Sequence, residues 1–271
     1  LYLLSDLAYA LVFHVLRYRR PLVQRHLRLC LPERDEKERK RIERQFYHYL
    51  CDIFVETIKM TSISEREMKR RITFEGLELV NEAARAGRSV ALLLGHYCNW
   101  EWVTGIGLHL PPEALSGQVY HPLENPVADR YFLRIRERMH TRCLSLDEAP
   151  NVLLKAYKDG IASVIGYIAD QSPGFSSMHY WHDFLHQRTP FYSGCERISR
   201  LINARVVYFD ITRPRRGYYH VRIIPVADDL RATPTFAITR RYADLLEQSI
   251  QRDPAYWLWS HNPTRKNANV S

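Results

Sequence analysis

Cysteine is scarce in this chain and badly spaced for either of its structural uses. The five residues Cys30, Cys51, Cys98, Cys143 and Cys195 are odd in number and never closer than 21 positions, so neither a disulfide framework nor a CxxC metal knuckle is encoded. They read as small buried hydrophobes in a reducing, cytoplasmic environment. No apolar run reaches the roughly 20 residues of a spanning helix, and no linker, internal repeat or low-complexity segment divides the chain. Nucleic-acid signatures are missing too: the basic residues are dispersed among acids, with no stacking ribbon, helix-turn-helix or zinc-finger spacing.

What is present suits one large α/β domain. At 271 residues a chain can bury about three quarters of its unfolded surface, so no covalent or metal staple is required. Hydrophobic residues at 46% and charged residues at 25% are ordinary globular values that exclude a disordered or collagen-like chain. The charge is the anomaly: 39 Lys and Arg against 30 Asp and Glu leave +9, a balance that favours anionic lipid headgroups, nucleic acid or an acidic carrier protein.

The chain begins at Leu1 rather than Met, which reads as a trimmed start, and 13 of its first 16 residues are apolar. Arg17, Arg19, Arg20, Arg25 and Arg28 follow at once. An apolar block ahead of a one-sign cluster reads as the end of an anchor, or as a helix lying in the headgroup layer above a basic collar. The alternative is a buried amphipathic first helix. The division taken is residues 1–28 as a membrane-associated apolar helix with its basic collar and 29–271 as the main domain.

Past a mixed-charge run, Ile42, Phe46, Tyr49, Leu50, Ile53, Phe54 and Ile58 recur at helical steps. A second helix over 76–86 stops at Gly87, and then the period changes: 89–94 (SVALLL) is a nearly continuous apolar run, as in a strand buried on both faces of a parallel sheet. Helices over 127–139 and 151–158, a second buried strand over 161–169, a helix over 193–203, strands over 206–211 and 218–225 and a final helix over 236–251 continue the alternation. The expectation is a single α/β domain with a mainly parallel central sheet flanked by helices, preceded by the N-terminal membrane-associated helix.

Open parallel sheets bind ligands beyond the carboxyl ends of their strands. The first buried strand is followed by Gly95-His96-Tyr97-Cys98-Asn99-Trp100-Glu101-Trp102, the second by Asp170-Gln171-Ser172-Pro173-Gly174. His96 with Glu101 five residues on offers a general base and an orienting carboxylate. With 12 His and 30 acids in the chain, about one such spacing arises by chance, so its value lies in its place at a strand end after a glycine. Its alternative is a histidine capping the strand beside a solvated Glu101.

The segments LLLGHYCNWEW, VYHPLENPVADRYFLRIRERM, IADQSP, WHDFLHQRTPFYSGCERIS and YWLWSHNP together resemble the bacterial lipid A biosynthesis acyltransferase family, the lauroyl and myristoyl transferases of the lysophospholipid acyltransferase superfamily, over nearly the whole length. The resemblance implies transfer of a fatty acyl group from an acyl carrier protein thioester, or acyl-CoA, to a hydroxyl of a membrane glycolipid, a lipid A precursor, at the cytoplasmic face of the inner membrane. It maps the family's His-x4-acid signature onto His96 and Glu101 as catalytic residues. It assigns Arg136, Arg138, Asn99 and Asp170 to substrate or oxyanion binding, and it needs no cofactor and no metal. Tyr120-His121-Pro122 and His261-Asn262-Pro263 depart from the family by lacking phosphate-pairing arginines, which opens the acceptor to a related aminolipid or a differently phosphorylated lipid A; a rival reading is acylation of a phosphoinositide mannoside or an aminolipid from acyl-CoA. A non-catalytic basic protein on the membrane is the reading from another class.

Two further features are weighed. His179, His182, Asp183 and His186 include a histidine pair at i and i+4, as on a zinc helix, but the flanking prolines and aromatics favour a loop that packs above the site. Trp100, Trp102, Trp181, Trp257 and Trp259 read as core, or as walls of an apolar groove for an acyl chain.

Overall fold

The computed structural model describes residues 1–170 and 179–261. The expected alternation of helices and buried strands is present, with a seven-stranded sheet at its centre. Its strands are β1 (Ile72–Glu75), β2 (Val90–Leu94), β3 (Leu115–Tyr120), β4 (Arg142–Ser145), β5 (Ser163–Ile168), β8 (Arg205–Arg215) and β9 (Tyr218–Ala227), in the order β1-β9-β8-β2-β5-β3-β4. Only β8 with β9 is antiparallel; the other five pairings are parallel. The central β2 is buried at all five positions, which is why it reads in sequence as an unbroken apolar run.

The helices are α1 (Tyr2–Tyr9), α2 (Arg20–Cys30), α3 (Glu36–Lys59), α4 (Glu65–Arg71), α5 (Leu77–Arg85), α6 (Pro126–Glu137), α7 (Ala149–Lys158), α8 (Gly194–Leu201) and α9 (Ala237–Arg252). Helix α3 is capped by Asp35, whose side chain accepts from the Glu38 amide, and α5 ends two residues before Gly87, at φ +74°. Two short strands, β6 (Tyr180–Phe184) and β7 (Gln187–Phe191), form a separate antiparallel hairpin. This replaces the loop expected over the histidine-rich segment. It also removes the helical face on which His182 and His186 would sit together. Instead His182 meets Asp244 at 2.9 Å, and His186 meets Glu33 at 3.6 Å.

The N-terminal segment inverts the usual helix pattern. Helix α1 turns its polar side chains inward: the Tyr2 hydroxyl donates to Glu56, the Ser5 hydroxyl to Asp52, and Asp6 pairs with Arg216. Its leucines face out, with Leu3 81% and Leu7 68% exposed. A π-helical stretch, Ala10–Val15, continues α1 and exposes Leu11 and Val15. Among the described residues no helix is long and apolar enough to cross a membrane.

Candidate active site

His96 stands two residues beyond the end of β2. The intervening Gly95 is there for room: a Cβ at that position would lie 2.6 Å from Leu246 Cδ1 and 3.2 Å from Asp170 Oδ2. That space lets Asp170, two residues past β5, reach across. Its Oδ1 lies 2.7 Å from His96 Nδ1, and its Oδ2 accepts from the His96 amide at 2.9 Å and from the Trp257 indole N–H at 2.9 Å. Burial alone would push the Asp170 carboxyl up, but the imidazole and these donors outweigh it and hold the group below the ordinary carboxylate range. A neutral imidazole that directs its Nδ1 proton at Asp170 carries its lone pair on Nε2, the atom that can take a hydroxyl proton.

The expected partnership of His96 with Glu101 therefore needs correction: the carboxylate on Nδ1 is Asp170. Glu101 begins the 3-10 helix Trp102–His109 and is engaged by Arg136 of α6, which donates from Nε at 2.8 Å and from Nη2 at 2.6 Å. This bidentate fork is the strong geometry for a carboxylate. Both residues are largely buried, with side-chain exposures of 20% for Arg136 and 9% for Glu101. His96, Glu101 and Arg136 all line one cavity.

The other expected ligand-binding residues separate. Asn99 is fully buried, its amide nitrogen donating to Glu56 and its oxygen accepting from the Trp102 amide, so it shapes the loop behind the histidine instead of facing a substrate. Arg138 donates to the carbonyls of Met60 and Ile63 and ties α6 to the chain after α3. Gln171, Ser172, Pro173 and Gly174 lie outside the described residues, as do Asn262 and Pro263.

The loop carrying His96 is held from behind. Cys98 sits at φ +51°, an unfavourable conformation for a residue with a Cβ. The Cys98 amide donates to the Tyr256 carbonyl and its carbonyl accepts from Tyr49. Residues 97 and 257 form an isolated bridge, and the Leu258 amide donates to the His96 carbonyl. Sequence reasoning did not foresee that the YWLWSH segment braces the histidine and its acid; these contacts join it to residues 96–98, more than 150 positions away, and to Asp170, 87 positions away.

The cavity measures about 760 Å³, within the range of small-molecule sites. Its floor is the face of the sheet formed by Leu92 and Leu94 of β2 and Gly166 and Ile168 of β5; Leu153 of α7 and Ile198 of α8 contribute to its walls. Trp100 stands edge-on to the His96 ring at 5.2 Å between centroids, and Tyr120, His121 and Pro122 also line the space. Cys195 is in the wall, but burial pushes its thiol up to about 12, which leaves it protonated and a poor nucleophile. Arg197, which sequence reasoning passed over, also borders the cavity. No cluster of potential metal ligands occurs among the described residues.

A histidine held by a carboxylate at the carboxyl end of a parallel strand, beside a cavity of mixed polar and apolar lining, is an arrangement that can take a proton from a hydroxyl. The chain belongs to the bacterial lipid A biosynthesis acyltransferase family, whose model matches residues 2–266. It is 23% identical over 248 residues to the lipid A biosynthesis myristoyltransferase of Escherichia coli (strain K12), a match covering 89% of this chain and 73% of that one. The lipid A biosynthesis lauroyltransferase of the same organism is 24% identical over 262 residues, covering 93% and 80%. The lipid A biosynthesis acyltransferase of Haemophilus influenzae is 21% identical over 248 residues, covering 91% and 76%.

Proposed function

We propose that this acyltransferase moves a fatty acyl group from an acyl carrier protein or CoA thioester to a hydroxyl of a lipid A precursor, with His96 as general base. His96 Nε2 accepts the hydroxyl proton as the oxygen attacks the thioester carbonyl. Asp170 fixes the tautomer and stabilises the imidazolium. The carbonyl oxygen gains negative charge in the tetrahedral intermediate, and the Arg136 guanidinium, clamped by Glu101 on the cavity wall, is the preorganised cation for that charge or for a phosphate of the acceptor. Collapse returns the proton to the departing thiolate and leaves the ester. The acyl chain occupies the apolar cavity.

The observation that carries this reading is the 2.7 Å contact between His96 Nδ1 and Asp170 Oδ1 at the edge of that cavity. The test supplies purified protein with acyl carrier protein thioester and lipid A precursor in mixed micelles. Wild type is expected to form the ester and folded His96→Ala to lose at least about 10³-fold in rate. Undiminished transfer by that variant would remove the mechanism.

The same proposal places the enzyme on a membrane surface, where its acceptor resides. The support is the inverted face of α1 together with Phe54 and Ile58 of α3, 66% and 46% exposed, and the exposed Arg17, Arg25 and Arg28 that follow α1 in the sequence. The inner membrane's cytoplasmic leaflet is the proposed site.

A further inference from the structure

Gly166 occupies the middle of β5, in register with Leu92 of β2 on one side and Gln118 of β3 on the other. Residues in register on parallel strands share a face, so Leu92, Gly166 and Gln118 form one row beneath the cavity, with Leu94 and Ile168 in the next row toward His96. Glycine inside a central strand weakens it, by roughly 0.5–1 kcal/mol against alanine. Such a residue usually marks a positive φ or the close approach of another backbone.

Neither applies at Gly166. Its φ is not among the positive ones. A Cβ built there would meet nothing nearer than Gln118 Cβ at 3.7 Å, with the Gly117 carbonyl oxygen at 3.9 Å and Leu94 Cδ2 at 4.0 Å. Gly117 next door is different, since its Cβ would lie 2.6 Å from the Arg142 carbonyl oxygen. The backbone at Gly166 would accept a side chain, so what the glycine provides is open volume at the cavity floor, on a face where Leu92 and Leu94 project. Four strand residues, ~13 Å, separate it from Asp170 beside the reacting centre.

We propose that Gly166 is the position that sets acyl-chain length in this enzyme: the absent side chain leaves room for the distal methylenes of a long saturated chain. This rests on the acyl-transfer reading above. A side chain at 166 would rise beside Leu94 and Gln118 into the space those methylenes fill, while the thioester end of the chain near His96 would be untouched.

The experiment compares wild type, Gly166→Ala and Gly166→Leu with acyl carrier protein thioesters from octanoyl to palmitoyl, scoring kcat/KM for each length. Gly166→Leu is expected to lose roughly 10-fold or more with palmitoyl, the scale of one or more misfitted methylenes, and to stay within about two-fold of wild type with octanoyl. Gly166→Ala, which adds a single methyl to a strand that tolerates it, is expected to shift the profile the same way by less. Folded variants that keep the wild-type length profile, or that lose activity equally with every donor, would overturn the assignment. A wild-type protein inert with every thioester would instead overturn the acyl-transfer reading, and this inference with it.

Discussion

Two acidic side chains near His96 do different work. Asp170 takes the imidazole N–H, a backbone amide and an indole N–H, whereas Glu101 takes an arginine. Because its pKa is depressed, Asp170 contributes stability that is complete above the ordinary carboxylate value near 3.9 and is lost as the pH falls below it. Trp257→Phe keeps an aromatic ring but removes the donor and leaves a void where the second ring of the buried indole packed. It is expected to lower stability at neutral pH by at least about 1–1.5 kcal/mol and to leave less to be lost on acidification, measured as melting temperature from neutral pH to about pH 3. Glu101→Gln strands a largely buried guanidinium, so a loss of about 3 kcal/mol in a urea melt is expected, with partial recovery when Arg136→Met is added and no recovery of transfer. Sequence made His96 and Asp170 visible as strand-end residues but not as partners, since 74 positions separate them. Glu101, nearer to His96 in the chain, does not meet its Nδ1, because proximity in sequence says nothing of direction once a 3-10 helix begins beside it.

At the level of elements, legibility followed burial. Strands β2, β5 and β8 are rich in consecutive buried apolar residues, and their apolar runs announce them. By contrast β1, β3 and β4 were missed: ITFE, LSGQVY and RCLS are short or mixed, and β1 and β4 lie at the two edges of the sheet, where one flank needs no apolar partner. The hairpin of β6 and β7 escaped because the prolines and aromatics around the histidine-rich segment read as a loop, and its two short strands of mixed burial carry no apolar run to announce them. Between α1 and the loop behind His96 lies a hub that no local pattern encodes. The fully buried Glu56 accepts from Tyr2, Asn99 and Tyr219, and its backbone carbonyl accepts from the Trp102 indole. Glu56→Ala would leave three donors without an acceptor, and a loss of at least about 3 kcal/mol is expected, with faster amide hydrogen exchange in both α1 and the loop at 97–102.

For the whole molecule, the sheet brings the histidine and its acid together at the carboxyl ends of adjacent central strands, while α1, packed on α3, turns its leucines outward. The double variant Leu3→Glu/Leu7→Glu is expected to cut binding to vesicles containing anionic phospholipid by at least about 10-fold, without lowering the melting temperature, because both side chains are exposed. Sedimentation with the vesicles provides the check. Unchanged binding would remove α1 from the membrane contact. The parallel, single-domain architecture was legible from alternating periods, and the apolar block was legible as unusual. That its polar side faces the protein was not, since Tyr2, Ser5 and Asp6 find their partners more than 40 positions away.

The central claim is that Asp170, and not Glu101, orients the base. Its most direct test is kcat/KM for acyl transfer by folded Asp170→Asn, a near-isosteric change that lets the side-chain amide stabilise the wrong imidazole tautomer. The account expects a fall of roughly 10³–10⁴-fold; a folded Asp170→Asn enzyme that works within about ten-fold of wild type would contradict it.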